Sequence, residues 1–158
     1  MSRGQGITGR RRYAGGALVA LASLSLVAAG VANLTTSQPD TQQANAYLKA
    51  GLAAQGVGRT GDAREDYRRA LAHDPNNKLG YYYLGSIEQQ QGQDTLAEED
   101  YRAALYFDRN FVPAYLKLGF ALQSLGRGDQ ARMEFAAAVR IDPSVAAQIP
   151  PALLPPRP

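Results

Sequence analysis

Residues 78–111, KLGYYYLGSIEQQQGQDTLAEEDYRAALYFDRNF, decide the fold, because their pattern occurs three times at a spacing of 34 residues. Gly85 of this stretch has counterparts at Gly51 and Gly119. Six other sets keep the same spacing: Tyr47, Tyr81, Tyr115; Gly58, Gly92, Gly126; Ala63, Ala97, Ala131; Tyr67, Tyr101, Phe135; Ala70, Ala104, Ala138; and Asp74, Asp108, Asp142. The chain therefore carries three uninterrupted copies of one unit, at 44–77, 78–111 and 112–145.

Each copy is predicted to form two helices joined by a short turn. The first helix runs roughly over residues 44–55, 78–91 and 112–125, and its conserved Tyr and Gly lie four apart on one face. That Gly lets a neighbouring helix approach closely. A second Gly, at the turn, suits a left-handed helix cap. Acidic residues stand near the start of each second helix, where the helix dipole favours them: Asp62, Asp94 and Asp129.

These residues resemble the tetratricopeptide repeat over residues 44–145, about two thirds of the chain. The family motif is met in the second copy by Tyr81, Leu84-Gly85, Ala97, Tyr101 and Ala104. Arg109 departs from it, because the family usually has Pro there. The resemblance implies an all-α fold, a right-handed α-solenoid of three helix-turn-helix repeats whose concave face binds peptides or protein segments.

In this family, first-helix side chains line the concave groove. They correspond here to the residue after each conserved Tyr, the residue after each conserved Gly, and a Gln one turn later. The nine positions are Leu48, Leu52, Gln55, Tyr82, Ser86, Gln89, Leu116, Phe120 and Gln123. Family members that grip a C-terminal carboxylate place Lys, Arg and Asn at these positions, and this chain has none there.

An apolar groove with a Gln edge is therefore predicted, and an apolar helix or extended peptide is its natural ligand. In the alternative interpretation, Leu48, Leu116 and Phe120 are simply covered within the domain.

A basic segment, residues 1–13, precedes an uncharged apolar run at 14–32, AGGALVALASLSLVAAGVA. As a helix rising about 1.5 Å per residue, this run would cross the hydrocarbon core of a bilayer. Arg10, Arg11 and Arg12 would stay inside, which puts the repeats on the outer side of the cell membrane as a single-pass protein. Alternatively, the run is a signal peptide cleaved near Ala32, and the protein is secreted or periplasmic.

The distribution of charge argues against a nucleic-acid partner, although the isoelectric point is about 9.3. Residues 1–39 hold four Arg and no acid, whereas residues 40–158 hold the other 13 basic residues and all 14 acids, a net charge of −1. A nucleic-acid-binding domain carries its basic stripe on the folded face. Here the excess lies in the leader, where membrane topology or export explains it.

Two further segments flank the repeats. Residues 33–43 are predicted to be a linker, and residues 146–158 a Pro-rich tail. Residues 144–149 could form a short capping helix, and residues 150–158 are predicted to be extended. Solenoids need a covered end, so Leu153 and Leu154 are expected to cover the third repeat or to enter a groove, in the same or another copy. A solvated tail is the alternative.

Nothing in the sequence indicates catalysis, a metal or a cofactor. The chain has no Cys, and no phosphate-binding loop or nucleophile motif is present. The acidic run Glu98-Glu99-Asp100 is predicted to be a solvated helix face, and His73 a surface residue. We therefore expect a non-enzymatic protein–protein interaction scaffold anchored in the membrane. The alternative is a structural subunit that assembles with itself or with a membrane or exported complex.

Overall fold

The computed structural model describes residues 39–154, which form six α-helices and two short 3-10 helices. The α-helices are α1 (Thr41–Gly56), α2 (Thr60–His73), α3 (Lys78–Gln90), α4 (Asp94–Phe107), α5 (Val112–Ser124) and α6 (Gly128–Ile141). Each repeat is one hairpin, α1–α2, α3–α4 or α5–α6, and successive hairpins pack through α2 on α3 and α4 on α5. The all-α fold of paired repeat helices is thus confirmed.

The conserved glycine of each first helix lies against the aromatic ring of its partner helix. A Cβ atom added to Gly51 would be 2.5 Å from Cε1 of Tyr67, and one added to Gly119 would be 2.5 Å from Cε1 of Phe135. Both rings are fully buried. The absence of a side chain lets the two helices close around the ring, which offsets the poor helix propensity of glycine, about 1 kcal/mol.

The second conserved glycine ends the first helix in a left-handed conformation. The φ angles of Gly58, Gly92 and Gly126 are 78°, 72° and 74°. In the first hairpin, the Arg59 amide donates to the Ala54 carbonyl at 2.9 Å, which satisfies one of the free carbonyls at the helix end. A residue with a Cβ atom would be strained at these three turns.

The first helix begins at Thr41, three residues earlier than the predicted start at residue 44, so the predicted linker 33–43 is too long at its C-terminal end. Asp40 is the cause, because its carboxylate accepts a hydrogen bond from the Gln43 amide at 3.0 Å and caps the helix. The Asp40 amide also donates to the carbonyl of His73 at 2.9 Å, which ties the entry of the chain to the end of α2.

The C-terminal segment covers the third hairpin. A 3-10 helix at Pro143–Gln148 lies close to the short helix predicted at 144–149, and a shorter one at Pro151–Leu153 stands where an extended chain was predicted. Val145 and Ile149 are buried, and Leu153 and Leu154 pack partly buried against the same core. Of the positions predicted for these two leucines, the structure shows the one that covers the chain's own third repeat.

Residues 1–38 and 155–158 lie outside the described part of the chain, and with them the predicted apolar helix at 14–32. Within residues 39–154, no helix is both long and apolar enough to cross a membrane.

Candidate peptide-binding cleft

The structure places all nine predicted groove residues on the first helices of the hairpins, α1, α3 and α5. Three of them, Tyr82, Leu116 and Phe120, line one cleft of about 390 Å³, which is bounded by α3, α5 and residues 142–148. The other six do not line it: Leu48, Leu52, Gln55, Ser86, Gln89 and Gln123. The groove therefore has its concavity in the second and third repeats rather than along all three.

The cleft has an apolar floor and a polar rim. Val112 and Pro113, from the first turn of α5, join the three predicted residues in the apolar lining. The C-terminal 3-10 helix forms the opposite wall through Val145 and Gln148. Lys117 and Asp142 bring one positive and one negative charge to the lining.

The aromatic side chains of the cleft are held by neighbouring rings. The Tyr82 ring meets that of Phe111 edge-on, with centroids 5.2 Å apart, and lies 5.9 Å from that of Tyr101. Phe120 packs edge-on against the buried Phe135 at 5.1 Å. Burial, reinforced by the neighbouring Tyr83, raises the pKa of the Tyr82 hydroxyl, which therefore stays protonated and can donate a hydrogen bond.

Two of the predicted leucines contribute mainly to the core. Leu48 is 4% exposed and Leu116 is 8% exposed, so a ligand could touch only the edge of either side chain. Leu52 is different, with 42% of its surface exposed, but it stands on α1 outside the cleft. The prediction that some groove leucines are covered within the domain thus describes Leu48 and Leu116, whereas Phe120 remains partly open.

The glutamine edge is partly committed to internal hydrogen bonds. The hydroxyl of Tyr67 donates to Oε1 of Gln55 at 2.8 Å, and that of Tyr101 donates to Oε1 of Gln89 at 3.0 Å. The third hairpin has Phe135 at the equivalent position, which carries no hydroxyl, and its glutamine, Gln123, is exposed. The first two glutamines therefore fix the ends of first helices, and only the third is free of this role.

Asp142 closes the C-terminal side of the cleft as a fixed negative charge. Its Oδ1 accepts hydrogen bonds from the Ser144 hydroxyl at 2.7 Å and the Ser144 amide at 2.9 Å. These two bonds hold the pKa of the Asp142 carboxyl below its usual value, so the group is ionised at neutral pH.

The acidic run on α4 is not the solvated face that its sequence predicts. Glu99 is exposed, but Glu98 is only 8% exposed, and its carboxylate pairs with Arg127 and, at 3.1 Å, with Nε of Arg102. Burial, followed by the nearby Glu88 carboxyl, raises the pKa of Asp100 to about 7. The prediction failed because α4 turns this face toward neighbouring hairpins. Among the described residues no group of acids or histidines could hold a metal ion.

Sequence reasoning missed the cleft residues outside the conserved register: Val112, Pro113, Lys117, Asp142, Val145 and Gln148. Val112 could have been found, because it lies four residues before Leu116 and so shares its helix face. Nothing in the sequence around Lys117 indicates that its side chain lines the cleft. The wall formed by Val145 depends on how residues 143–149 fold back, which no periodic pattern encodes.

Comparison with known proteins places the chain in a family. The tetratricopeptide-repeat family matches residues 48–111 and again residues 112–145. No curated protein shows a significant match.

Among solved structures, the first repeat domain of Spaghetti (RPAP3), bound to the HSP90 peptide SRMEEVD, is 22% identical with a TM-score of 0.64, over 66% of this chain and 82% of that one. The OM64 repeat domain of Arabidopsis is 25% identical with a TM-score of 0.63, over 66% and 86%. MamA is 28% identical with a TM-score of 0.62, over 68% and 63%. Such repeats are typically non-catalytic modules for protein–protein interaction, and the chain belongs to the tetratricopeptide-repeat family.

Proposed function

We propose that this chain is a non-enzymatic scaffold that binds an apolar peptide or helix of a partner protein in the cleft between α3 and α5. The observation that carries the proposal is the cleft itself. It has partly open aromatic walls, Tyr82 and Phe120, within an otherwise well-packed helical array. Partly exposed aromatic side chains in a concave site are characteristic anchors of protein interfaces.

The chemistry of the cleft favours an apolar ligand over an acidic peptide such as SRMEEVD, which is bound to Spaghetti. Such a ligand needs several cationic or amide donors to hold its carboxylates. Here the lining offers one cation, Lys117, and an ionised acid, Asp142, stands on the same rim. The charges in the lining of the cleft sum to zero. Binding therefore depends on burying apolar surface, which contributes a favourable free energy of roughly 25 cal/mol per Å².

Attachment to the cell membrane through residues 14–32, with the repeats on the outer side, is a second part of the proposal. It rests on the sequence alone: the run is uncharged, long enough to cross a bilayer, and preceded by three arginines. Cleavage near Ala32 would instead release the same repeats as a secreted or periplasmic protein. Mass spectrometry of the mature N-terminus distinguishes the two forms.

The binding function is tested by affinity capture with the full chain and a double variant, Leu52→Lys with Phe120→Lys. Both side chains are at least partly exposed, so each lysine can reach water, and the lysine at position 120 adds a charge to the cleft. We expect the double variant to keep the helical circular dichroism of the wild type and to lose the captured partner. Capture of the same partner by the folded double variant would contradict the proposal.

The alternative of a self-assembling structural subunit has one feature in its favour, the Pro-rich segment that follows the covered third hairpin. Sedimentation analysis of the full chain in a mild detergent tests it directly. A single monomeric species over a wide range of concentration would rule out self-assembly and leave the partner-binding role unaffected.

A further inference from the structure

The cleft between α3 and α5 has the features that bind proline-rich segments. Such segments adopt the polyproline II conformation, and grooves lined by aromatic rings take them at low entropic cost because they are already ordered. Tyr82 and Phe120 supply the rings, and Val112 and Leu116 supply the aliphatic floor between them. The volume of about 390 Å³ accommodates a few residues rather than a long helix.

The rim adds a negative charge with a free oxygen. Oδ1 of Asp142 is occupied by Ser144, but Oδ2 accepts no hydrogen bond within the described residues. Asp142 is therefore placed to pair with a cation on a ligand that lies in the cleft. A single arginine, whose planar group donates several hydrogen bonds, is the complementary side chain.

The chain itself contains a segment with this chemistry. Residues 155–158 read Pro-Pro-Arg-Pro and follow directly on Leu154, where the described structure ends. With three residues per turn, a polyproline II helix would put Pro155 and Pro158 on one face and Arg157 on another. The segment thus offers two apolar contacts and one cation, which match the rings and the carboxylate of the cleft.

The same molecule is a poor source for this ligand. Leu153 and Leu154 pack against the core of the third hairpin, and the short 3-10 helix that precedes Leu154 packs on α6. No residue of α6 lines the cleft. Residues 155–158 therefore leave from a segment that is held on α6, a helix that contributes nothing to the lining of the cleft.

We infer that the cleft binds residues 155–158 of a second copy of this chain, with Arg157 of one copy paired to Asp142 of the other. The inference rests on the proposed binding role of the cleft and names its ligand. Each copy inserts its tail into the cleft of one neighbour and binds the tail of another neighbour in its own cleft. The contact is therefore heterologous and links copies head to tail.

The test uses the full chain, in a mild detergent, with residues 155–158 replaced by Ser so that no competing tail is present. The probe is a fluorescent peptide with the sequence of residues 150–158 and both ends blocked. We expect saturable binding by fluorescence anisotropy. Replacing Arg157 in the peptide by Ala, or Asp142 in the protein by Asn, should each weaken binding about threefold, and the two changes together should weaken it no further. The matched control, Asp108→Asn, lies one repeat away from the cleft and should bind as the parent does.

Sedimentation of the unaltered full chain supplies the second measurement. We expect association that rises with concentration and is lost in the variant with Ser at 155–158. The inference is overturned if the peptide does not bind, or if Asp142→Asn and Asp108→Asn bind it equally. A third result would also overturn it: the unaltered chain stays monomeric, and it binds the peptide only after its own residues 155–158 are replaced. The tail would then occupy the cleft of its own copy. Partner capture that depends on Phe120 while the peptide fails to bind would leave the proposed function standing without this ligand.

Discussion

At the amino-terminal end of the array α1 packs chiefly on α2, whereas at the other end residues 143–154 cover the α5–α6 hairpin. The two ends differ at equivalent positions of the repeat. Ala53 is exposed on α1, while its counterparts Ile87 and Ala121 are fully buried against the preceding hairpin. The first repeat therefore exposes to solvent the face that, in the second and third repeats, packs against the preceding hairpin.

The concave spaces near the two ends differ in the same way. The first hairpin has a recess of about 520 Å³ whose lining is small alanines and charged side chains: Ala50, Ala53, Ala54, Arg59, Asp62, Glu65, Asp66 and Arg69. The cleft near the third hairpin has aromatic and aliphatic walls instead. The repeat register thus fixes the positions of the helices, and the residues between the conserved positions decide which concavity can bind an apolar ligand.

The largest expected effect comes from uncovering the carboxyl-terminal end. Ile149→Ala removes a side chain that is 4% exposed against the third hairpin, so it should lower the free energy of unfolding by about 2–5 kcal/mol. The control is Val57→Ala near the open end, where 69% of the side chain is exposed and the change should stay within about 0.5 kcal/mol. Urea unfolding followed by circular dichroism measures both. Equal losses of unfolding free energy for the two variants would mean that both ends of the array are covered to the same extent.

Ala121 and Ala53 allow the same comparison with identical residues at equivalent positions. Ala121→Leu adds volume to a fully packed site and should cost about 1–3 kcal/mol, whereas Ala53→Leu places the same atoms on an open face and should change stability by less than about 0.5 kcal/mol. Thermal unfolding of the two variants gives the answer. A large loss for Ala53→Leu would show that another element covers α1.

A pH-dependent effect is expected in the middle hairpin, where Glu88 and Asp100 come together. Oε2 of Glu88 is buried without a hydrogen-bond partner in the described chain, and a proton retained by Asp100 would supply one. Because the folded-state pKa of Asp100, about 7, lies above its ordinary value of 3.8, its contribution is fully present below pH 3.8 and is lost as pH rises through 7.

Asp100→Asn should therefore remove a fall in unfolding free energy between pH 4 and 7 that is on the order of 1 kcal/mol after solvent screening. Thermal unfolding as a function of pH measures it. The matched variant is Asp66→Asn, because the first hairpin has Ala54 in place of Glu88. Identical pH profiles for the wild type and Asp100→Asn would contradict the assignment.

The smallest effect concerns the tyrosine hydroxyls that hold the glutamine edge. Tyr67→Phe and Tyr101→Phe each remove one hydrogen bond to a glutamine and should cost about 0.5–1.5 kcal/mol. The third hairpin carries Phe135 naturally and serves as the reference. Adding Gln55→Ala to Tyr67→Phe should then cost little more, and a fully additive loss in this double-mutant cycle would show that the two groups do not interact.

Most of the fold could be predicted from the sequence because the residues that form each packing contact within a hairpin recur in all three repeats. The pairs Gly51–Tyr67 and Gly119–Phe135 are contacts between neighbouring helices of one hairpin, so a 34-residue register is enough to find them. The turn glycines follow from the same register. The early start of α1 was missed, because it depends on a single capping residue, Asp40, outside the repeat.

The candidate site was predicted only in part. Tyr82 and Phe120 follow from their places in the register, but Leu48 is buried in the core outside the cleft, and Leu116 reaches the cleft only with the edge of its side chain. A small rotation of the helix about its axis decides whether such a side chain faces the cleft or the core. The spacing of residues in the sequence does not resolve a rotation of that size. The wall at Val145 was missed for a different reason, since it belongs to a segment that folds back without any periodic pattern.

We infer that the partner binds in the aromatic cleft of the second and third repeats and not on the surface of the first repeat. The most direct measurement compares affinity capture by two single variants of the full chain, Phe120→Lys in the cleft and Leu52→Lys on α1, with unfolding curves confirming that both are folded. We expect Phe120→Lys to lose the partner and Leu52→Lys to keep it. Loss through Leu52→Lys with full capture by Phe120→Lys would contradict the account.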